Sequence, residues 1–240
     1  MRRFYSPPET LDDRVVTLGA DETHHLRDVV RQRVGDIVSV FDGVGGEFEC
    51  VIRELRRSSA ELEVVRRTEP RSPESPIRVT LAAALLKADK FELVIQKAVE
   101  LGVAELIPLI TDRGEANAKH SEKRMVRWQR IILDASKQCG RATLMTIDEP
   151  MKFRSLLANA ADPAEMALFA ERDGVRLADA TGRSIRVVVI GPEGGWSDAE
   201  IAAAKAAGCQ VVTLGGRILR AETAAIAITA IVQNLFGDFN

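Results

Sequence analysis

The residues of this 240-residue chain best suited to chemistry lie in two glycine-rich segments near its C-terminus. The first is Val189-Ile190-Gly191-Pro192-Glu193-Gly194-Gly195-Trp196-Ser197, an apolar run that enters a glycine loop and then a helix start. Glycines at a strand end let backbone N–H and C=O groups approach a ligand with no Cβ in the way. The loop lacks the Lys-Ser/Thr ending of a phosphate-binding P-loop, and it lacks GxGxxG spacing. Taken alone, it suits a tight β–α turn as well as a ligand site. The second segment, Leu214-Gly215-Gly216-Arg217-Ile218-Leu219-Arg220-Ala221-Glu222-Thr223-Ala224, repeats the logic. Paired glycines follow an apolar strand, two arginines come next, and an acidic residue and a threonine open a helix. A third strand end, Phe169-Ala170-Glu171-Arg172, also terminates in charge. Three such ends in one parallel sheet would converge beyond the strands' carboxyl termini, where ligands of α/β folds bind.

The elements that must hold those loops follow from periodicity. After Thr68-Glu69-Pro70-Arg71-Ser72-Pro73-Glu74-Ser75-Pro76, strands and helices alternate. Three prolines in that segment cannot continue a helix or a central strand, so it reads as a linker between domains 1–72 and 73–240. Beyond it, Ile77–Leu85, Leu106–Leu109, Ala167–Ala170, Arg186–Ile190 and Val211–Leu214 are apolar runs of strand length. Helices are predicted from Asp89, with Phe91, Val94, Ile95, Ala98 and Leu101 on one face, and over about 122–139 and 222–236. Ser197-Asp198-Ala199-Glu200 is a capping box that opens another. Apolar strands alternating with helices imply a parallel sheet covered on both faces. Before the linker the texture is β. Val15–Leu18, Ile37–Phe41, Glu47–Ile52 and Ala60–Val65 read as strands, with a hairpin at Asp42-Gly43-Val44-Gly45-Gly46 and one short helix over about 22–31. A small barrel of about 70 residues fits that pattern.

The composition, 46% apolar and 28% charged, is that of an ordinary globular protein. No apolar stretch is long enough for a membrane span, and the N-terminus lacks the apolar core of a signal peptide, so a cytoplasmic location is expected. Cys50, Cys139 and Cys209 are odd in number and far apart, and His24, His25 and His120 do not join them at zinc-ligand spacing. Neither a disulfide framework nor a metal is expected. A net charge of −2 gives no global nucleic-acid signature, so any RNA contact must use local patches.

The paired glycine segments resemble those of the SPOUT methyltransferases, and within them most resemble the RsmE family of 16S rRNA uridine N3-methyltransferases. His24-His25-Leu26-Arg27-Asp28-Val29-Val30-Arg31, Gln96-Lys97-Ala98-Val99-Glu100-Leu101-Gly102-Val103 and Gln138-Cys139-Gly140-Arg141 agree with it, and the match runs from about Phe4 to Phe236. The resemblance implies an α/β fold in which a PUA-like, RNA-binding β-barrel precedes a C-terminal SPOUT α/β domain with a parallel sheet and a trefoil knot. It also implies a homodimer, S-adenosyl-L-methionine as methyl donor, and 16S rRNA, within the 30S subunit, as substrate at uracil-1498. By the same resemblance the cofactor site takes in Leu168, Phe169, Glu171, Gly191, Pro192, Glu193, Gly194, Gly195, Leu214, Gly215, Arg217, Ile218, Leu219 and Thr223. Two positions depart from the family pattern. Ala142-Thr143-Leu144-Met145-Thr146 stands where a proline usually follows the arginine, and Lys137 stands where an acidic residue is common.

For a uracil N3 that must lose its proton, Arg220 is the first candidate to stabilise the anion and Arg141 the second. Glu222 or Glu193 is placed to accept the proton or orient an arginine, and Glu222 equally suits a helix N-terminus through the dipole. Arg217 suits an ion pair. Arg27, Arg31 and Arg33, with Lys87 and Lys90, are candidate RNA contacts. Residues 1–72 hold 12 arginines against 14 acidic residues, so only local clustering makes a patch there. Lys123, Arg127, Arg130, Lys137 and Arg141 share one face of the long helix, either a solvated face or an RNA-backbone track. The apolar final helix suits either the core or a subunit interface. Three other functions compete: a SPOUT enzyme acting on another RNA or a ribose 2′-hydroxyl, a non-catalytic RNA-binding assembly factor, and a nucleotide-binding α/β enzyme, which the missing Walker and Rossmann fingerprints weaken.

Overall fold

Alternating apolar residues fold the N-terminal part as a sheet with one buried face. The computed structural model describes residues 2–12, 14–114, 122–180 and 185–239, so His120 lies outside the described residues. Contacts divide the chain into two units, residues 1–74 with 133–144, and residues 75–132 with 145–240.

In the smaller unit the elements are β1 (Arg3–Tyr5), β2 (Val15–Leu18), α1 (Ala20–His24), β3 (Ile37–Phe41), β4 (Glu47–Leu55) and β5 (Ala60–Thr68). They form a half-barrel in the order β1-β3-β4-β5-β2, antiparallel except for the parallel β1–β3 pair. Val16, Leu18, Leu26, Val38, Val40, Cys50, Ile52 and Leu62 fill its core. The β3–β4 hairpin is tied by Asp42, whose Oδ1 accepts from the N–H groups of Val44 and Gly46, each at 2.8 Å. The single helix expected over 22–31 is instead α1 followed by a π-helical turn, His25–Val29. There the Val30 N–H donates to the His25 carbonyl at 2.9 Å, and the wider turn carries Leu26 into the core. Strand β1 was not anticipated, because three residues carry too little periodicity.

The larger unit contains β6 (Thr80–Ala84), α2 (Ala88–Glu100), β7 (Glu105–Ile110), α3 (Glu122–Cys139), β8 (Thr146–Ile147), β9 (Met151–Lys152), α4 (Phe153–Asn159), β10 (Met166–Phe169), β11 (Val175–Arg176), β12 (Val187–Ile190), α5 (Asp198–Ala207), β13 (Gln210–Thr213) and α6 (Ala221–Phe236). The last residues of α3 group with the smaller unit. The sheet is parallel in every pairing among the described residues, in the order β11-β13-β10-β12-β6-β7-β8 with β9 also beside β7. Its central strands are buried along most of their length, which explains their unbroken apolar sequences. Phe153 and Leu156 of α4 and Ile201 and Ala204 of α5 pack in one core cluster with Leu168, Val189 and Val211. Helices α2 and α6 contact each other, and α6 contacts β6 and β12.

Helix α6 is not apolar all round. Gln233 is fully buried, accepting from Ser75 Oγ and donating to the Leu101 carbonyl, both at 2.8 Å. The side of α6 away from Ala225, Ile228 and Val232, with Ile226, Ala227, Ala230 and Ile231, is half-buried. No helix among the described residues is long and apolar enough to cross a membrane.

Candidate active site

Strand order reverses around β10, because its neighbours β12 and β13 lie on opposite sides and come later in the chain. At such a switch point the loops leaving adjacent strands diverge and open a crevice. The loops after β10, β12 and β13 line a cavity of about 720 Å³, within the ~300–1,000 Å³ range of small-molecule sites. Of the residues expected at the cofactor site, Phe169, Glu171, Gly191, Pro192, Glu193, Gly194, Gly195, Leu214, Gly215, Arg217, Ile218 and Leu219 line it. Leu168 is instead buried in the core, and Thr223 is exposed on α6 outside the lining. Alternation along β10 explains Leu168, since adjacent residues of a strand point to opposite faces.

The β12–α5 loop is fixed from several elements. The buried Trp196 indole N–H donates to the Phe169 carbonyl at 2.9 Å, tying this loop to the end of β10. Ser197 caps α5 in a full capping box with Glu200. Glu200 is 3% exposed, and its carboxylate accepts from the Ser197 N–H at 2.9 Å and the Asp112 N–H at 3.0 Å. The Arg172 guanidinium donates to the Trp196 carbonyl at 3.1 Å and to Asp198 at 2.8 Å. Two glycines are required by this packing. A Cβ on Gly191 would meet the Trp196 ring at 2.8 Å, and Gly195 has φ +68° with Glu171 Oε1 2.8 Å from where a Cβ would stand. Both glycines line the cavity. Sequence reading saw Glu200 only as a cap, because its bond to Asp112 spans 88 positions with no local signal.

The charge cluster around Lys90 is drawn from three elements. Lys90, in the first turn of α2, donates to Glu193 of the β12–α5 loop, and its ammonium lies 3.8 Å from Glu222 of α6. Lys90, Glu193 and Arg220 line the cavity, whereas Glu222 is not among its lining residues. The hydrogen bond to Glu193 holds the Lys90 ammonium above its usual pKa, aided by the fields of Glu193 and Glu222 and opposed by Arg220. The same bond holds Glu193 below the usual carboxylate range. Glu222 Oε2 is buried with no hydrogen-bond partner among the described residues.

The other candidates lie elsewhere. Arg141 belongs to the smaller unit, where its side chain is 4% exposed and donates twice to Glu74, at 3.0 and 2.6 Å. Lys137 is ion-paired with Glu22 in the same unit, and Arg127 is paired with Glu92 in the larger one. The expected basic stripe is thus interrupted by internal ion pairs rather than open along its length. Arg27 donates to Asp28 and to the carbonyls of Arg56 and Arg57, and this contact holds Asp28 down at about 2, with His24 assisting. Arg31 has φ +59°, and both it and Arg33 are exposed, as is Lys87.

Comparison with known proteins agrees with this architecture. Residues 73–233 match the RNA methyltransferase domain, and residues 18–65 match the RNA methyltransferase PUA domain. The chain is 36% identical over 239 residues to ribosomal RNA small subunit methyltransferase E of Synechocystis sp., covering 97% of this chain and 77% of that protein. It is 30% identical to the protein of the same name from Rickettsia conorii, over 96% of this chain and 93% of the other. The structure superposes on ribosomal RNA small subunit methyltransferase E of Neisseria gonorrhoeae bound to S-adenosyl methionine, with a TM-score of 0.90, 35% identity and full coverage of both chains. A Legionella pneumophila protein with bound cofactor SAM gives a TM-score of 0.88 at 31% identity over 98% of each chain. With its two domains matched in order and its length covered, this chain belongs to the family of ribosomal RNA small subunit methyltransferase E.

Proposed function

We propose that this chain is an S-adenosyl-L-methionine-dependent methyltransferase that methylates N3 of a uridine in 16S rRNA. The observation that carries the reading is the glycine-cradled cavity at the converging ends of β10, β12 and β13, in a chain whose relatives are named as rRNA methyltransferases. The cavity's volume and its cradle suit the cofactor, and Phe169, Gly191, Leu214, Ile218 and Leu219 are the residues that would hold it. When bound, the cofactor supplies an electrophilic methyl group whose sulfonium leaves as a neutral thioether.

The protein's part is to hold an unpaired uracil in line and to offset the negative charge that follows loss of the imino proton. Arg220, on the cavity wall, supplies positive charge there. Glu193 is better placed than Glu222 to accept the proton, since it lines the cavity and its side chain is 47% exposed. Arg141 leaves the catalytic set in this reading, because Glu74 engages its guanidinium. Exposed Arg31, Arg33 and Lys87 suit phosphate contact.

A homodimer, a trefoil knot, the 30S subunit as substrate and a cytoplasmic location complete the reading. The half-buried apolar side of α6 supports the dimer. The test is nucleoside mass spectrometry of 16S rRNA after 30S subunits from a strain lacking the enzyme are incubated with the purified chain and S-adenosyl-L-methionine. The expected product is 3-methyluridine. A 2′-O-methylated nucleoside alone, or no methylation at all, would refute the reading.

A further inference from the structure

Lys90 stands where simple electrostatics disfavours it. It lies in the first turn of α2, where the helix dipole opposes a cation, and its side chain is only 26% exposed. Two carboxylates from separate elements compensate, Glu193 by a direct hydrogen bond and Glu222 at 3.8 Å. The two differ in freedom. Glu222 has a side chain 12% exposed, lies outside the cavity lining, and leaves one buried oxygen without a hydrogen-bond partner among the described residues. Glu193 is 47% exposed and lines the cavity. Glu222 is thus an anchor with no easy alternative to Lys90, whereas Glu193 can exchange its partner for solvent or substrate.

We propose that Lys90 is a uracil-reading residue, which exchanges Glu193 for a carbonyl oxygen of the base while Glu222 keeps its ammonium at the cavity. The proposal rests on the reading of the chain as a uridine N3-methyltransferase. On the uracil edge an N3–H lies between two carbonyl oxygens, so an ammonium beside a carboxylate complements a carbonyl beside an N–H. In the step, the N3–H bond breaks and the proton passes to Glu193 and on to solvent, while the electron pair left on N3 forms the new N–CH₃ bond as the donor's S–CH₃ bond breaks and its electron pair leaves with the sulfur as a neutral thioether. Negative charge that develops on the carbonyl oxygens is met by Lys90 on one side and by the field of Arg220 nearby. Exchange also frees Glu193 from the contact that holds its carboxyl below the usual range, so it becomes a better acceptor as substrate enters. Cytosine has no proton on N3 to give Glu193, and it places an amino group where uracil has the O4 carbonyl that would accept from Lys90.

The test uses the full chain with Lys90→Met, Lys90→Arg and Glu222→Gln variants. Three measurements are made: S-adenosylhomocysteine binding by calorimetry, steady-state methylation of 30S subunits across pH, and the carboxyl carbon of Glu193 by NMR titration. Lys90→Met should lower kcat about 10²-fold, the scale of one lost charge-stabilising donor, with cofactor affinity within about threefold of native. In the substrate-free variant the Glu193 carboxyl should titrate at higher pH than in the native chain, and the acidic limb of the kcat/KM profile should move the same way. Lys90→Arg should recover part of the rate, and Glu222→Gln should lose less than Lys90→Met. A Lys90→Met kcat within about threefold of native would overturn the proposal, as would loss of cofactor binding in both Lys90 variants, which would assign Lys90 to the cofactor. Failure of the native chain to bind the cofactor or to form 3-methyluridine is a separate outcome, which removes the underlying reading along with the proposal.

Discussion

Replacing Gly191 with alanine puts the packing of the candidate site to a direct test. A Cβ there would stand 2.8 Å from both Cε2 and Nε1 of Trp196 and 3.2 Å from Cδ1. Carbon atoms pack at about 3.5–4.0 Å, so loop and ring must part by roughly 0.7–1.2 Å. The ring cannot yield freely. It is 1% exposed, lies 4.8 Å from the Phe153 ring, and donates its N–H to the Phe169 carbonyl. Overpacking of this kind costs about 1–3 kcal/mol. In a chain of this size each kcal/mol lowers Tm by about 2–4 °C. Because Gly191 lines the cavity, the displaced loop should also weaken S-adenosylhomocysteine binding, by about tenfold for each 1.4 kcal/mol transmitted. Differential scanning calorimetry and titration calorimetry read the two effects. Trp196→Ala removes the crowding ring atoms, so Gly191→Ala should cost less in that background than in the native one. An unchanged Tm and affinity in Gly191→Ala would refute the reasoning, and so would equal cost in both backgrounds.

Three further outcomes are expected. Arg3→Met should destabilise the smaller unit by about 3–5 kcal/mol in urea unfolding, because it strands Glu47 and removes donors to the Ser136 and Arg141 carbonyls. Burial pushes the Glu47 carboxyl up, but Arg3, Ser39 and the Arg71 N–H outweigh it and hold it low, so its stabilisation is complete above about pH 4.3 and lost on acidification below that, and the acid limb should flatten in the variant. Gln233→Leu should cost about 1–3 kcal/mol in thermal unfolding, since the Leu101 carbonyl loses its donor and Ser75 Oγ its acceptor. Burial pushes the Cys50 thiol up to about 12, so a thiol reagent at pH 8 should modify Cys139 and spare Cys50 until the chain unfolds.

The parts of the fold that were legible in sequence are those whose cause is local. The central strands announce themselves because both faces are buried, and Ser197 and Glu200 announce α5 because the capping box needs both residues at fixed spacing. The π-helical turn at His25–Val29 was not legible, because a bond from residue i to i+5 has no residue signature, and the demand comes from burying Leu26. Arg141 shows the same limit for a side chain. Its motif position suggested chemistry, but its partner is Glu74 of the proline-rich segment, and nothing in the local pattern of either residue specifies the pair. Lys90 was legible only as a candidate RNA contact, because its carboxylate partners Glu193 and Glu222 lie on other elements far along the chain.

The two walls of the cavity are built differently, and the difference bears on what each contributes. The β12–α5 wall is held by the Trp196 bond to Phe169, by the Glu200 bonds to Ser197 and Asp112, and by Arg172. Polar groups held this way meet a ligand with little ordering cost. The wall after β13 has Gly215 and Gly216 at φ +73° and +77° with open space around them, and Ile218 is 86% exposed. Covering Ile218 would gain about 1.5–3 kcal/mol, whereas fixing each loop residue costs about 1–2 kcal/mol. Over the three residues from Gly216 to Ile218 the ordering cost is about 3–6 kcal/mol, roughly twice that gain. Net affinity therefore depends on the fixed wall, where Glu193 sits, and the glycine loop after β13 serves more to enclose the reacting groups than to hold them.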